Sequence, residues 1–251
     1  MDTEKDKMII AHRGESFIAP ENTLASVQLA WNKGVKAVEV DVRLTLDNQV
    51  ILMHDKTTKR TGDINNVIAK STLDELRKVD IGVYKGKKWR GEQIPKLSEV
   101  LKTVPVNGKL IIEIKSDSEI IGPLVDVIKS SGLAAHQIEI ISFNIKILAK
   151  VKKLLPQNKV LWLLDLDYYL PAWMLYVNTQ KIIRKLQQHK LDGVDVWAGK
   201  KINALFVEQV KRCKLLVYTW TTNDIKSARN LLAMQVDAIT SDKAGWLIDQ
   251  L

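Results

Sequence analysis

Val38-Glu39-Val40-Asp41-Val42 alternates apolar and acidic residues with a period of two. In an extended strand that period sends Glu39 and Asp41 to one face and the three valines to the other, so two carboxylates converge on one point. On either side, Met8-Ile9-Ile10-Ala11 and Val50-Ile51-Leu52-Met53 are short apolar runs of the kind that form buried strands, and each leads into a histidine, His12 and His54. Leu110-Ile111-Ile112-Glu113-Ile114-Lys115 repeats the plan, closing an apolar run with an acid and a base on one face. Four strands thus carry ionisable groups near their C-terminal ends. A buried charge is costly unless it is paired or bound to a metal, and a functional site accounts for the recurrence.

Outward from this stretch, strand and helix patterns alternate without a long linker or low-complexity tract. Pro20-Glu21-Asn22-Thr23 opens a helix running to about Lys33, with Asn22 or Thr23 as its N-cap and Gly34 as its stop. Strands are expected near 37–42 and 50–54, then at 110–115, 138–142, 160–164, 193–197, 215–220 and 237–241. Helices are expected at 98–104, 118–130, 144–154, 178–190, 202–212 and 224–234. Residues 56–95 are less regular, with a short helix near Thr72 to Lys78 and a basic run from Lys85 to Arg90, and read as an insertion. About eight strands alternating with helices point to an α/β fold, a TIM (β/α)8 barrel, with 1–251 as a single domain.

The 251 residues are 46% hydrophobic, enough to bury a large core. A formal net charge of +9 attracts anionic substrates, anionic lipid or nucleic acid without selecting among them, and lysines solvating outer helix faces are the better account of it. The single cysteine, Cys213, falls in a helical pattern and excludes an internal disulfide. With a charged N-terminus that lacks a signal-peptide apolar region, this favours a cytoplasmic setting. Val160 to Val177 is apolar enough to suggest a membrane span, but Asp165, Asp167 and Pro171 interrupt it. Its first half reads as a buried strand. Its second half, the aromatic segment 168–177, reads as a rim loop that packs the next helix, walls the substrate site or touches a membrane surface.

Glu39, Asp41 and Glu113 are three hard oxygen donors, a set suited to Mg²⁺ or Ca²⁺ rather than zinc. A cation held by carboxylates implies a phosphate ligand. Arg13 can clamp phosphate oxygens in a bidentate fork, and Lys115 can add a point charge from the strand that bears Glu113. His12 and His54, with ordinary pKa values near ~6.5, can divide general acid and general base work. His136 and His189 are expected at the opposite end of the barrel. Trp220, at a strand end, serves either as a wall against the carbons of a substrate or as core.

Ala11-His12-Arg13-Gly14 with Pro20-Glu21-Asn22-Thr23, then Glu39-x-Asp41, His54-Asp55, Ile94-Pro95-x-Leu97-x-Glu99-x-Leu101, Glu113-Ile114-Lys115, Ser142-Phe143 and Trp220-Thr221-x-Asn223, resembles the glycerophosphodiester phosphodiesterase family over nearly the whole chain. The resemblance implies a TIM barrel with a small insertion after the second histidine-bearing strand. It also implies Mg²⁺- or Ca²⁺-dependent hydrolysis of a small-molecule glycerophosphodiester to glycerol 3-phosphate and an alcohol. Glu39, Asp41 and Glu113 would bind the metal, and His12 and His54 would serve as acid and base. Members often end the last strand with Thr-Asp-x-Pro, whereas this chain has Thr240-Ser241-Asp242-Lys243-Ala244.

The substrate's 2-hydroxyl lies beside its phosphate. One histidine could therefore deprotonate it while the other protonates the leaving alcohol, giving a cyclic phosphate that water opens. The alternatives are a lysophospholipase D or sphingomyelinase D-like lipid phosphodiesterase, and a non-catalytic phosphate- or nucleic-acid-binding barrel. The intact pair of histidines argues against the latter.

Overall fold

The computed structural model describes residues 8–169 and 177–251. Nine strands form one sheet: β1 (Met8–His12), β2 (Ala37–Leu44), β3 (Val50–Leu52), β4 (Lys109–Ile114), β5 (Ile138–Ser142), β6 (Lys159–Leu164), β7 (Gly193–Trp197), β8 (Leu216–Trp220) and β9 (Ala238–Ser241). Eight of them are parallel and run in the order β1-β9-β8-β7-β6-β5-β4-β2, and a β1–β2 pairing closes the barrel. The expected TIM barrel is thus the fold.

Two apolar layers hold it together. Val38, Val40 and Val42 join the large cluster between the strands and the surrounding helices, while Ile10, Ile111, Ile141, Leu163 and Tyr218 fill the barrel axis. The period-two pattern therefore turns Glu39 and Asp41 inward, as the spacing requires. Helices start where capping side chains meet freed N–H groups. Thr23, not Asn22, caps Leu24–Asn32, and Asn144, Asn203 and Asp224 cap the helices after β5, β7 and β8.

One strand departs from the expected plan. The 50–54 run is β3, which pairs antiparallel with β2 (Val42 opposite Leu52) and lies outside the barrel wall. His54 reaches the rim because this hairpin folds back, with the amide of Met53 donating to the carbonyl of Asp41. Residues after it form the irregular excursion read as an insertion, where Ile51, Met53, Ile68, Leu76, Ile81 and Ile94 make a separate apolar cluster. Its helix is shorter than expected, Leu73–Leu76.

Smaller differences follow from local chemistry. Cys213 lies just beyond Ala204–Arg212 and is exposed, not inside the helix. A final helix, Ala244–Gln250, was not apparent from the pattern. Of the aromatic segment 168–177, Tyr168 is exposed, and residues 170–176 lie outside the described residues. Among the described residues, no helix is long and apolar enough to cross a membrane.

The turn after β1 is tight. Gly14 has φ +80°, and a methyl group there would collide with the side chain and backbone of Ser26. Gly14→Ala is therefore expected to destabilise the fold by more than about 2 kcal/mol, from the left-handed backbone and the overlap together. Thermal melts of the two proteins check this, and an unchanged midpoint would refute it.

Candidate active site

The eight barrel strands and the turn after β3 surround one cavity of about 110 Å³. His12, Arg13, His54 and Lys115 line one part of it, Glu39 and Glu113 the floor, and Phe143, Leu163, Asp195 and Trp220 the remaining wall. Asp41 lies beneath, fully buried. Oxygens of Glu39, Asp41 and Glu113 lie within 4.8 Å of one another. All eight residues singled out in the sequence are thus brought to one place.

Two cations are built into the acid cluster. Lys115 Nζ is 2.6 Å from Glu113 Oε1 and 3.3 Å from Asp41 Oδ1, and Arg13 Nε is 3.1 Å from Asp41 Oδ2. Three carboxylates against two cations leave one negative charge uncompensated when all are ionised. Burial, then repulsion from Asp41 and Glu113, raises Glu39 well above the usual carboxylate range. Burial and Asp41 push Glu113 up to about 7 despite Lys115. Burial would raise Asp41 too, but Lys115 and Arg13 outweigh it and hold that carboxyl low.

The same oxygens fit a divalent cation. Among the described residues, Glu39 Oε1 has no hydrogen-bond partner, and Asp41 Oδ1 and Glu113 Oε1 meet Lys115 without an aligned hydrogen bond. Buried carboxylate oxygens left this way are disfavoured unless a further positive charge joins them. An all-oxygen donor set suits a hard ion.

The loop after β1 shapes itself to these acids. Arg13 is left-handed, with φ 56°, and its amide donates to Glu39 Oε2 at 3.0 Å. Its carbonyl is held by the amide of Asn22 and the hydroxyl of Ser26. Strain of this kind persists only where the surroundings over-determine it. Asn22, also left-handed, donates to Asp41 Oδ2 at 2.8 Å and accepts from the Asp41 amide. It is a clamp on the acid, not a helix cap.

Each histidine is tethered through Nδ1. His12 meets Asp242 Oδ1 at 2.6 Å, and His54 meets Asp55 Oδ1 at 2.6 Å. Burial would raise both aspartates, but hydrogen bonds from His12 to Asp242 and from Arg60 and His54 to Asp55 hold each at about 2. An ionised carboxylate only accepts, so the proton sits on Nδ1 and each Nε2 is left to the cavity. Burial also lowers His54, keeping its ring neutral near pH 7.

Several site residues escaped the sequence reading. Asp242 falls in the rim loop where the chain lacks the usual proline, and it also accepts from Ser16 and Asn223. Arg60 donates to both oxygens of Glu21 and to Asp55 Oδ2, all at 2.7 Å, while Glu21 in turn accepts from Arg13 at 2.8 Å. Arg43 ties the carbonyls of His54 and Lys115 together. Nothing in the spacing of Arg43, Arg60 or Asp242 marks these contacts, most of which join residues distant in the chain. Trp220 lines the cavity, edge-on to Phe143 and Trp197 at 5.7 and 5.0 Å. His136 and His189 precede β5 and β7, at the far end of the barrel.

Comparison with known proteins agrees with this geometry. Residues 12–245 match the model of the glycerophosphoryl diester phosphodiesterase family. Bacillus subtilis YhdW is 32% identical over 242 residues, covering 96% of each chain. A glycerophosphodiester phosphodiesterase of Caldanaerobacter subterraneus is 31% identical over 247 residues, again covering 96% of both. An Oleispira antarctica phosphodiesterase solved in complex with the product sn-glycerol-3-phosphate superposes with a TM-score of 0.86 at 30% identity, covering 96% of this chain and 95% of that one.

The crowding of acids sets a pH dependence for the metal-free protein. Glu113 sits above its ordinary value of 4.5, at about 7, so the native state holds its proton more tightly than the unfolded chain. That contribution to stability is complete below about 4.5 and is lost as pH rises through about 7. In EDTA, Glu113→Gln should gain stability relative to the parent between about pH 5 and about pH 8, by on the order of 2 kcal/mol. Melts at the two pH values measure it, and a constant difference would show that Glu113 is not under strain from its neighbours.

Proposed function

The chain belongs to the glycerophosphoryl diester phosphodiesterase family, and from that membership we propose that it hydrolyses glycerophosphodiesters to sn-glycerol 3-phosphate and an alcohol, with Mg²⁺ or Ca²⁺ as its cation. The observation that carries this reading is the meeting of three carboxylates, two tethered histidines and two fixed cations on one small cavity. Glu39, Asp41 and Glu113 would hold the cation, which when bound supplies polarisation of a phosphoryl oxygen.

The chain's own groups do the rest. Arg13 and Lys115 orient the phosphate and offset charge growing on its oxygens. Lys115 is already drawn between Asp41 and Glu113, and Arg13 is held by Glu21 and Asp41, so neither has to be ordered on binding. One histidine takes the proton of the glycerol 2-hydroxyl as its oxygen attacks phosphorus. The other, carrying a second proton on Nε2, gives that proton to the alcohol oxygen as its bond to phosphorus breaks. Water then opens the cyclic phosphate with the proton transfers reversed. Trp220 and Phe143 exclude water on the apolar side.

A second reading, a lipid phosphodiesterase, is supported by a larger cavity of about 370 Å³ beside the first. It shares Phe143 and Leu163 with the catalytic cavity and is otherwise walled by residues such as Trp162, Leu164, Val177 and Ile182. An acyl chain on the glycerol of a lysolipid would fit such walls.

The deciding experiment measures release of the alcohol, with glycerol 3-phosphate or its acylated form as the co-product, from a soluble glycerophosphodiester and from a lysolipid, each with and without EDTA. Release from the soluble diester that stops in EDTA is expected, and Glu39→Ala should stay inactive with excess Mg²⁺ or Ca²⁺. Full activity in EDTA would overturn the metal assignment, and faster turnover of the lysolipid would favour the second reading.

His12→Ala and His54→Ala should each lower turnover by about 10²- to 10⁴-fold while leaving the fold intact. If either variant keeps more than about a tenth of parent turnover, the two do not act as a pair. A 2-deoxy analogue of the substrate should bind but resist cleavage. Its cleavage at the parent rate would replace the internal nucleophile with water.

A further inference from the structure

Asp195 is a carboxyl in the catalytic cavity that none of these roles uses. On β7, Val194 and Val196 pack outward among the helices, so Asp195 between them faces the barrel axis, with Leu163 and Tyr218 as its register neighbours. In the strand order, β7 stands four places from β2 in either direction, directly across the barrel from Glu39 and Asp41. Asp195 is 2% exposed, and among the described residues its Oδ1 has no hydrogen-bond partner. A buried polar atom left in this state is costly, and inside a cavity it is best accounted for by a ligand.

The surroundings say which part of a ligand that is. Phosphate belongs with Arg13 and Lys115. Leu163, Phe143 and Trp220 line the same cavity, and the indole N–H of Trp220 donates to the main-chain carbonyl of Asp195 at 3.3 Å, fixing the ring against the strand that carries Asp195. Burial, with Glu113 and Glu139 nearby, raises this carboxyl well above its ordinary range. It then presents both an O–H donor and an oxygen acceptor, and it does not repel a phosphate. An uncharged group that donates and accepts in return is a hydroxyl.

We propose that Asp195 is a substrate-binding residue whose carboxyl hydrogen-bonds a hydroxyl of the glycerol moiety, so that the cavity reads the polyol as well as the phosphate. This rests on the glycerophosphodiesterase reading above. Binding of sn-glycerol 3-phosphate and of propyl phosphate, which lacks both hydroxyls, is measured by calorimetry on the metal-loaded parent, Asp195→Val and Asp195→Asn. The parent should prefer glycerol 3-phosphate. Asp195→Val, close in volume but without a polar group, should lose about tenfold or more of that preference through weaker glycerol 3-phosphate binding alone. Asp195→Asn, which still donates and accepts, should keep most of it. If Asp195→Val does not fold, Asp195→Ala carries the same comparison.

An unchanged preference in the apolar variant overturns the assignment, as does a parent that binds both phosphates equally. If that same parent releases glycerol 3-phosphate from the diester, only the assignment falls. If it releases none, the functional reading falls and takes the assignment with it.

Discussion

Three carboxylates crowded at the floor of one cavity are the constraint on which the rest of the rim depends. Their mutual repulsion and their burial both oppose ionisation, and the fold answers with cations and N–H donors fixed before any ligand arrives. Lys115 bridges Asp41 and Glu113, Arg13 meets Asp41 with its side chain and Glu39 with its amide, and Asn22 closes on Asp41 from the other side. The left-handed turn at Arg13 and the glycine after it follow from this demand. With the chain bent there, the amide points at Glu39 while the side chain reaches Asp41. The compensation is one charge short, which makes a divalent cation part of the site's electrostatics as well as its chemistry.

A second ring of ion pairs surrounds this floor and aims the histidines. Asp242 and Asp55 hold the two imidazoles by the same nitrogen, so both present the same edge to the cavity. Arg60 belongs to the excursion after β3, yet it bonds Asp55 on one side and Glu21 on the other, and Glu21 holds Arg13. The excursion is thereby connected to both the acid-base pair and the phosphate clamp. Tyr84 and Lys85 from the same segment add contacts to Glu21 and Ser16. These residues surround the cavity on the histidine side, while Trp220, Phe143 and Asp195 close it opposite. The division suits a ligand with an anionic end and a small polar, partly apolar end.

The strand pattern and the acids were legible because a strand's period of two converts spacing directly into facing. Val38 to Val42 and Leu110 to Lys115 place Glu39, Asp41, Glu113 and Lys115 on inward faces without reference to anything else in the chain, and alternation with helices leads to the barrel. Capping at Thr23 and the stop at Gly34 were likewise local. Strand direction is not encoded in the same way. An apolar run such as Val50 to Leu52 looks the same whether it is parallel or antiparallel, and only the hairpin turn before it decides.

Side-chain period and residue type are enough to give the barrel, the convergent acids and the two histidines and two cations near them. Tertiary structure decided how those groups are tuned. Asp242 is 230 residues from His12, Arg60 is 39 from Glu21, and Asp195 is joined to Trp220 only through adjacent strands. Such contacts are set by barrel closure and by the path of the excursion after β3, and no local spacing encodes them. The same is true of charge. Asp41 stays ionised while Glu39 and Asp195 are pushed toward their protonated forms, because identical carboxyl groups take their state from burial and from the neighbours the fold assigns them.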